Sequence, residues 1–176
     1  RCLAMINEIE LIAVIIAGRS NCYIKKSSVY NPYVKSTLYD WEFTLQQGDY
    51  LFTDAYRGFN PYSGVEYVYY QGAADSATPI WYCDYVGYVA DLPEVIPGEV
   101  YQFLKESRGA HLGQCQGNLL TDYEYSNGAW HYENRFTGDL QSLLQVENFF
   151  YNNQLVARQM SGARCCKLSL LQVAGK

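Results

Sequence analysis

The sequence predicts an α+β fold: two repeated antiparallel β-meanders sharing one core, covered by an N-terminal helix and a short helix between the repeats. Three observations carry this. Apolar residues near the N-terminus recur every three or four positions, the period switches to two from Trp41, and a stretch of the first half returns 80 residues later. Leu3, Ile6, Ile9, Ala13 and Ile16 place a helix over residues 3–17, with Gly18 as its stop and cover expected on more than one side. Residues 19–36 are polar and Tyr-rich, and read as a loop or an irregular strand near Cys22–Ile24.

Repeat unit one spans residues 41–90. Trp41, Phe43 and Leu45 alternate with polar residues, and Gln47-Gly48-Asp49 makes a turn. The next strand puts Tyr50, Phe52, Asp54 and Tyr56 on one face; strands over Val65–Gln71 and Ile80–Val89 follow. Pro93 and Pro97 bracket a break, after which residues 98–107 form a short helix with Val100, Phe103 and Leu104 on one side. Arg108 to Cys115 reads as a Gly-rich loop, and repeat unit two spans residues 120–166.

The repeat sets Gly48–Gly58 against Gly128–Gly138, so Tyr50 meets Trp130, Phe52 meets Tyr132, Asp54 meets Asn134 and Tyr56 meets Phe136. With one inserted residue Glu66 meets Glu147, and Tyr85-Val86-Gly87 falls on Met160-Ser161-Gly162, which leaves Asp84 opposite Gln159. A meander with one aromatic face cannot bury that face alone. Two copies can pack their faces together or continue one sheet, so residues 1–176 are expected to form a single domain.

Composition narrows the function. At 176 residues the chain hides about 70% of its unfolded surface and needs no metal or disulfide staple. A net charge of −5 without a basic patch makes nucleic acid a poor partner. The dense apolar run Leu11–Ala17 is too short to span a bilayer, and the six cysteines match a reducing compartment; a soluble cytoplasmic chain is expected. There is no CxxC pair, and His111 and Cys115 lie in the segment read as a loop, so no metal and no cofactor are assigned. Phosphate loops and the G-x-S-x-G elbow are missing too.

Gly48-Asp49-Tyr50, Asp54-x-Tyr56-x-Gly58, Gly64-x-Glu66, Gly72, Pro79-x-Trp81 and Tyr85-x-Gly87 carry a resemblance over roughly residues 40–163. The chain resembles a family of bacterial domains of unknown function found alone or attached to helix-turn-helix transcriptional regulators. It departs from the family pattern at Cys83-Asp84 and in a longer Gly72–Pro79 loop. The resemblance implies a bacterial origin and transfers no activity. Residues 1–40 are too few for a helix-turn-helix plus linker, so the stand-alone form is expected.

The candidate site lies in the first unit. Asp54 sits among aromatic residues and must be hydrogen-bonded or paired, because burying it alone would cost several kcal/mol. Glu66 and Asp84 are expected to converge with it, with Tyr56, Trp81 and Tyr82 as walls, giving a pocket for a cationic or hydroxylated small molecule. The competing structural role pairs Asp54 and Glu66 with Arg57. Residues 48–90 carry a net charge of −4 and residues 128–165 a net of 0, which favours a ligand site in the first unit. No catalytic residue is assigned. A binding or interaction module is the leading function; the alternatives are a small hydrolase or lyase using the carboxylates, and an accessory regulator of a transcription or toxin–antitoxin partner. Nine of the 18 tyrosines fall in residues 50–88 on both strand faces, which predicts a homodimer or another protein partner at a tyrosine-rich interface.

Overall fold

A computed structural model describes residues 6–72 and 76–166. Helix α1 (Glu8–Asn21) opens on Asn7, whose side-chain oxygen accepts from the Ile9 amide at 2.9 Å. Glu8 and Glu10 in its first turn and Arg19 in its last suit the helix dipole. Residues 3–5 of the expected helix lie outside the described residues. The helix does not stop at Gly18 but runs three residues further, because Gly18 is an interior contact point against Phe52. Only one stripe, Leu11, Val14, Ile15 and Gly18, is buried, and Ile9 is 79% exposed, so the helix is covered on one side. A 3-10 turn (Tyr23–Lys25) follows.

A short strand β1 (Val34–Lys35) precedes unit one, which contains β2 (Trp41–Gln47), β3 (Tyr50–Gly58), β4 (Tyr62–Tyr70) and β5 (Trp81–Val89). Helix α2 (Pro97–Gln114) leads to β6 (Tyr123–Asn127), β7 (Trp130–Asp139), β8 (Ser142–Tyr151) and β9 (Gln154–Cys165). All nine strands make one antiparallel sheet in the order β1-β2-β3-β4-β5-β9-β8-β7-β6. The two units therefore continue one sheet, each a four-stranded meander led in by a helix, with their last strands paired at the centre.

Helix α2 is almost twice the expected length. Val100, Phe103, Leu104, Ser107 and His111 keep the three-and-four spacing through the Gly-rich stretch, and all five are buried. That burial outweighs the cost of about 1 kcal/mol for each helical glycine. His111 is thus a buried helical residue, 5% exposed, and not part of a loop.

The register moves the last strand of the repeat by one residue. Glu66 pairs with Cys83, and Glu147 pairs with Gln159. Cys83 is therefore the counterpart of Gln159, and Tyr85 that of Ser161. Tyr85 and Ser161 also face each other across β5 and β9, so the pseudo-twofold axis passes between them.

Two apolar clusters lie between the helices and the sheet. One gathers Leu11, Val14 and Ile15 with Phe52, Val68 and Trp81, and takes Leu140, Leu143 and Cys165 from unit two. The other gathers Val100, Phe103 and Leu104 with Tyr132, Phe149 and Val156, and takes Val89 from β5. The equivalent rings are alike in setting: Tyr50 packs against Tyr70 in a tilted contact at 4.9 Å, and Trp130 against Tyr151 at 4.7 Å. Among the described residues the other sheet face carries no helix; it holds Tyr67, Tyr69 and Tyr82 in contact, with Val86, Leu144 and Met160 exposed. Among the described residues no helix is long and apolar enough to cross a membrane.

Candidate functional site

Between the two apolar clusters the helix-facing side of the sheet turns polar, and a cleft of about 1140 Å³ opens there under α1 and α2. Its floor is duplicated. Helix α1 delivers Arg19 to Glu66 on β4, with Nη2 2.7 Å and Nε 3.0 Å from the carboxylate. Helix α2 delivers Arg108 to Glu147 on β8 with contacts of 2.7 and 2.8 Å. Both pairs are fork-like and largely desolvated, so removing one partner would leave an uncompensated buried charge at a cost of about 3–5 kcal/mol. Burial alone would raise the Glu147 carboxyl, but the Arg108 charge, its hydrogen bonds and one from Tyr132 hold it below the ordinary value. The two guanidiniums stay charged despite burial because of these partners.

The units differ around this shared frame. In unit one Asp54 Oδ2 accepts from Tyr33 Oη at 2.5 Å and Oδ1 from Tyr85 Oη at 2.7 Å. Burial, then repulsion from Glu66, pushes the Asp54 carboxyl up to about 6, against the opposing pull of the tyrosine hydrogen bonds and Arg19. Tyr85 reaches Asp54 by crossing Gly64, where a β-carbon would stand 2.4 Å from the phenol oxygen. In unit two the Gly64 position holds Gln145 and the Tyr85 position Ser161. Gln145 Nε2 donates to Asn134 Oδ1 at 3.1 Å, and Asn134 Nδ2 lies 3.4 Å from His111 Nδ1. With Asn134 oriented to donate, His111 carries its proton on Nε2, and that nitrogen is buried with no partner among the described residues. Burial first, then Arg19, lowers His111 in spite of Glu147, so the ring is neutral at pH 7. Rings of Tyr23, Trp41, Tyr56, Phe59, Tyr62 and Tyr101 wall the cleft.

Of the residues singled out from the sequence, Asp54, Tyr56 and Glu66 line this cleft. Trp81 is fully buried in the cluster under α1. Tyr82 and Asp84 do not join them. Asp84 pairs with Val65, one step out of phase with Glu66, and so lies exposed on the helix-free face, where Tyr82 packs on Tyr67. Arg57 pairs with neither acid; it donates to the Leu38 carbonyl and lies over Tyr39.

Arg19, Arg108, His111, Tyr33, Tyr85 and Gln159 were not singled out, yet a signal for three of them was present. Leu11-x-x-Val14-Ile15-x-x-Gly18-Arg19-x-x-Cys22 matches Val100-x-x-Phe103-Leu104-x-x-Ser107-Arg108-x-x-His111 at an offset of 89. The repeat thus includes the helices, and each copy presents an arginine one position after a small buried residue.

No curated protein and no solved structure matches the chain. The model of a domain of unknown function, DUF5680, matches residues 54–163, which include Asp54, Glu66, Arg108 and Glu147 but not Arg19. A match over more than half of its length, taking in the acids of both units, places this chain in the DUF5680 family.

Proposed function

We propose that the protein is a small-molecule binding module whose cleft takes a ring-bearing ligand with hydroxyl, carbonyl or amide groups. One observation carries this reading: at the centre of the sheet, where two packed layers ordinarily close with apolar side chains, the chain keeps a cavity of about 1140 Å³ over a polar floor. Ligand clefts run to about 300–1,000 Å³, with aromatic walls and a few convergent polar groups. The floor here is held rigid by the two Arg–Glu pairs, and His111 keeps an open donor.

The chemistry favours a hydroxylated over a cationic ligand. Both glutamates are already neutralised by arginine, and both Asp54 oxygens accept from phenols. Burial pushes the Cys22 and Cys83 thiols up, so neither is a ready thiolate at neutral pH. The test is an NMR screen of ring-bearing fragments against the wild type and Gln102→Trp. Gln102 is exposed on α2 and lines the mouth, so the indole should block entry and leave the fold intact. Hits should shift the Nε–H signals of Arg19 and Arg108 and lose that effect in the blocked variant. A library in which no fragment moves those signals would refute the proposal.

A further inference from the structure

Resting on that reading of the cleft, we infer that its ligand is an organic anion whose carboxylate or phosphate is met at the mouth by Lys26 and Lys105. The chain carries 18 acidic and 13 basic residues, so unpaired lysines clustered at one opening run against its overall charge. Lys26 Nζ donates to Tyr56 Oη at 3.1 Å and lies 5.0 Å from the Trp41 ring centre. Lys105 Nζ donates to the Lys26 carbonyl at 2.7 Å and lies 5.1 Å from the Tyr23 ring centre. Lys35 Nζ stands 3.9 Å from the Trp41 ring centre. Lys26 and Lys105 line the cleft and Lys35 stands beside it; among the described residues none of the three makes an ion pair, whereas Arg19 and Arg108 in the cleft each have their own glutamate.

An ammonium has three donors, and Lys26 and Lys105 each spend one on a hydrogen bond that fixes the head group in place. Half-burial, then repulsion from Lys105 and Lys35, holds Lys26 below its ordinary value, and half-burial lowers Lys105 as well. An anion seated there would relieve both costs, and tyrosine and tryptophan rings flank the spot for the planar part of the molecule. The mouth selects for negative charge, and the floor, with charges already paired, takes the neutral end.

The experiment compares 8-anilinonaphthalene-1-sulfonate with N-phenyl-1-naphthylamine, the same ring system without the sulfonate, by fluorescence titration. Wild type should bind the sulfonate about tenfold more tightly than the amine, a preference worth about 1.4 kcal/mol that shrinks as salt is added. Gln102→Trp should abolish both signals. Lys26→Gln/Lys105→Gln should erase the preference, and Lys26→Arg/Lys105→Arg should restore it. Amine binding blocked by Gln102→Trp, with no preference for the sulfonate or with a preference that survives the double glutamine variant, overturns the anion assignment alone. Signals indifferent to Gln102→Trp overturn the cleft reading together with it.

Discussion

Asp54 is the residue at which burial and hydrogen bonding pull in opposite directions. Its counterpart is Asn134, and both its oxygens already accept hydrogen bonds from phenols, so an amide can take its place with one tyrosine reversed from donor to acceptor. An acid whose carboxyl is raised on folding holds its proton more tightly in the folded chain. The stability this adds is complete below the ordinary value of 3.8 and is lost as pH rises through about 6. Asp54→Asn removes that loss. Urea denaturation should therefore find the variant close to wild type at pH 4 and more stable at pH 7, by up to about 3 kcal/mol for a shift of this size. Equal differences at the two pH values would show that Asp54 titrates normally. The acid and its aromatic neighbours were legible in the sequence because alternation alone puts Tyr50, Phe52, Asp54 and Tyr56 on one face. Its partners were not: Tyr33 and Tyr85 come from 21 and 31 residues away, and Glu66 meets Arg19 across 47, separations that no local period encodes.

Helix α1 sits on the sheet through Gly18, and there the usual rule for helical glycine reverses. Replacing glycine by alanine inside a helix gains up to about 1 kcal/mol from propensity. At Gly18 the new β-carbon would lie 2.3–2.5 Å from Phe52 ring atoms, and Phe52 is fully buried. Overpacking of this kind costs about 1–3 kcal/mol, so Gly18→Ala should destabilise the protein. Gly109→Ala on α2 meets only Ile24 Cγ2 at 3.7 Å and should stabilise it by about 0.5–1 kcal/mol. Chemical denaturation of the two variants side by side checks the pair; the same sign in both would remove the close-seat account of α1. The contact also explains why the sequence pattern places the end of this helix too early. A glycine after an apolar run looks like a C-terminal stop, and only the ring beneath it reveals an interior position. The strands were more legible, since a sheet with one covered face writes its period into the chain. The exception is the last strand of the repeat, where loops of unequal length shifted the alignment by one residue and so misplaced Asp84 and Tyr85 relative to the cleft.

At the scale of the whole molecule the two units are joined by more than the β5–β9 pairing. Arg19 on α1 reaches Gln145 on β8 at 3.4 Å, and Tyr62 on β4 donates to Gln159 on β9 at 2.9 Å, where Arg108 donates as well. Each apolar cluster contains residues from both units, Leu143 and Cys165 in the first and Val89 in the second. A cleft whose floor depends on both helices can hold its geometry only if neither unit opens without the other. Leu104→Ala under α2 should cost about 2–5 kcal/mol, as truncation of a buried leucine does. Native-state hydrogen exchange should then show an equal loss of protection at the amides of Phe52 on β3 and Tyr132 on β7, although Leu104 packs only in the second cluster. A loss confined to β7 would mean that the halves open independently, and the paired Arg–Glu floor could not then be rigid. An equal loss would show that the duplicated sheet is one cooperative unit, with the polar cleft maintained at its centre by the apolar packing on either side.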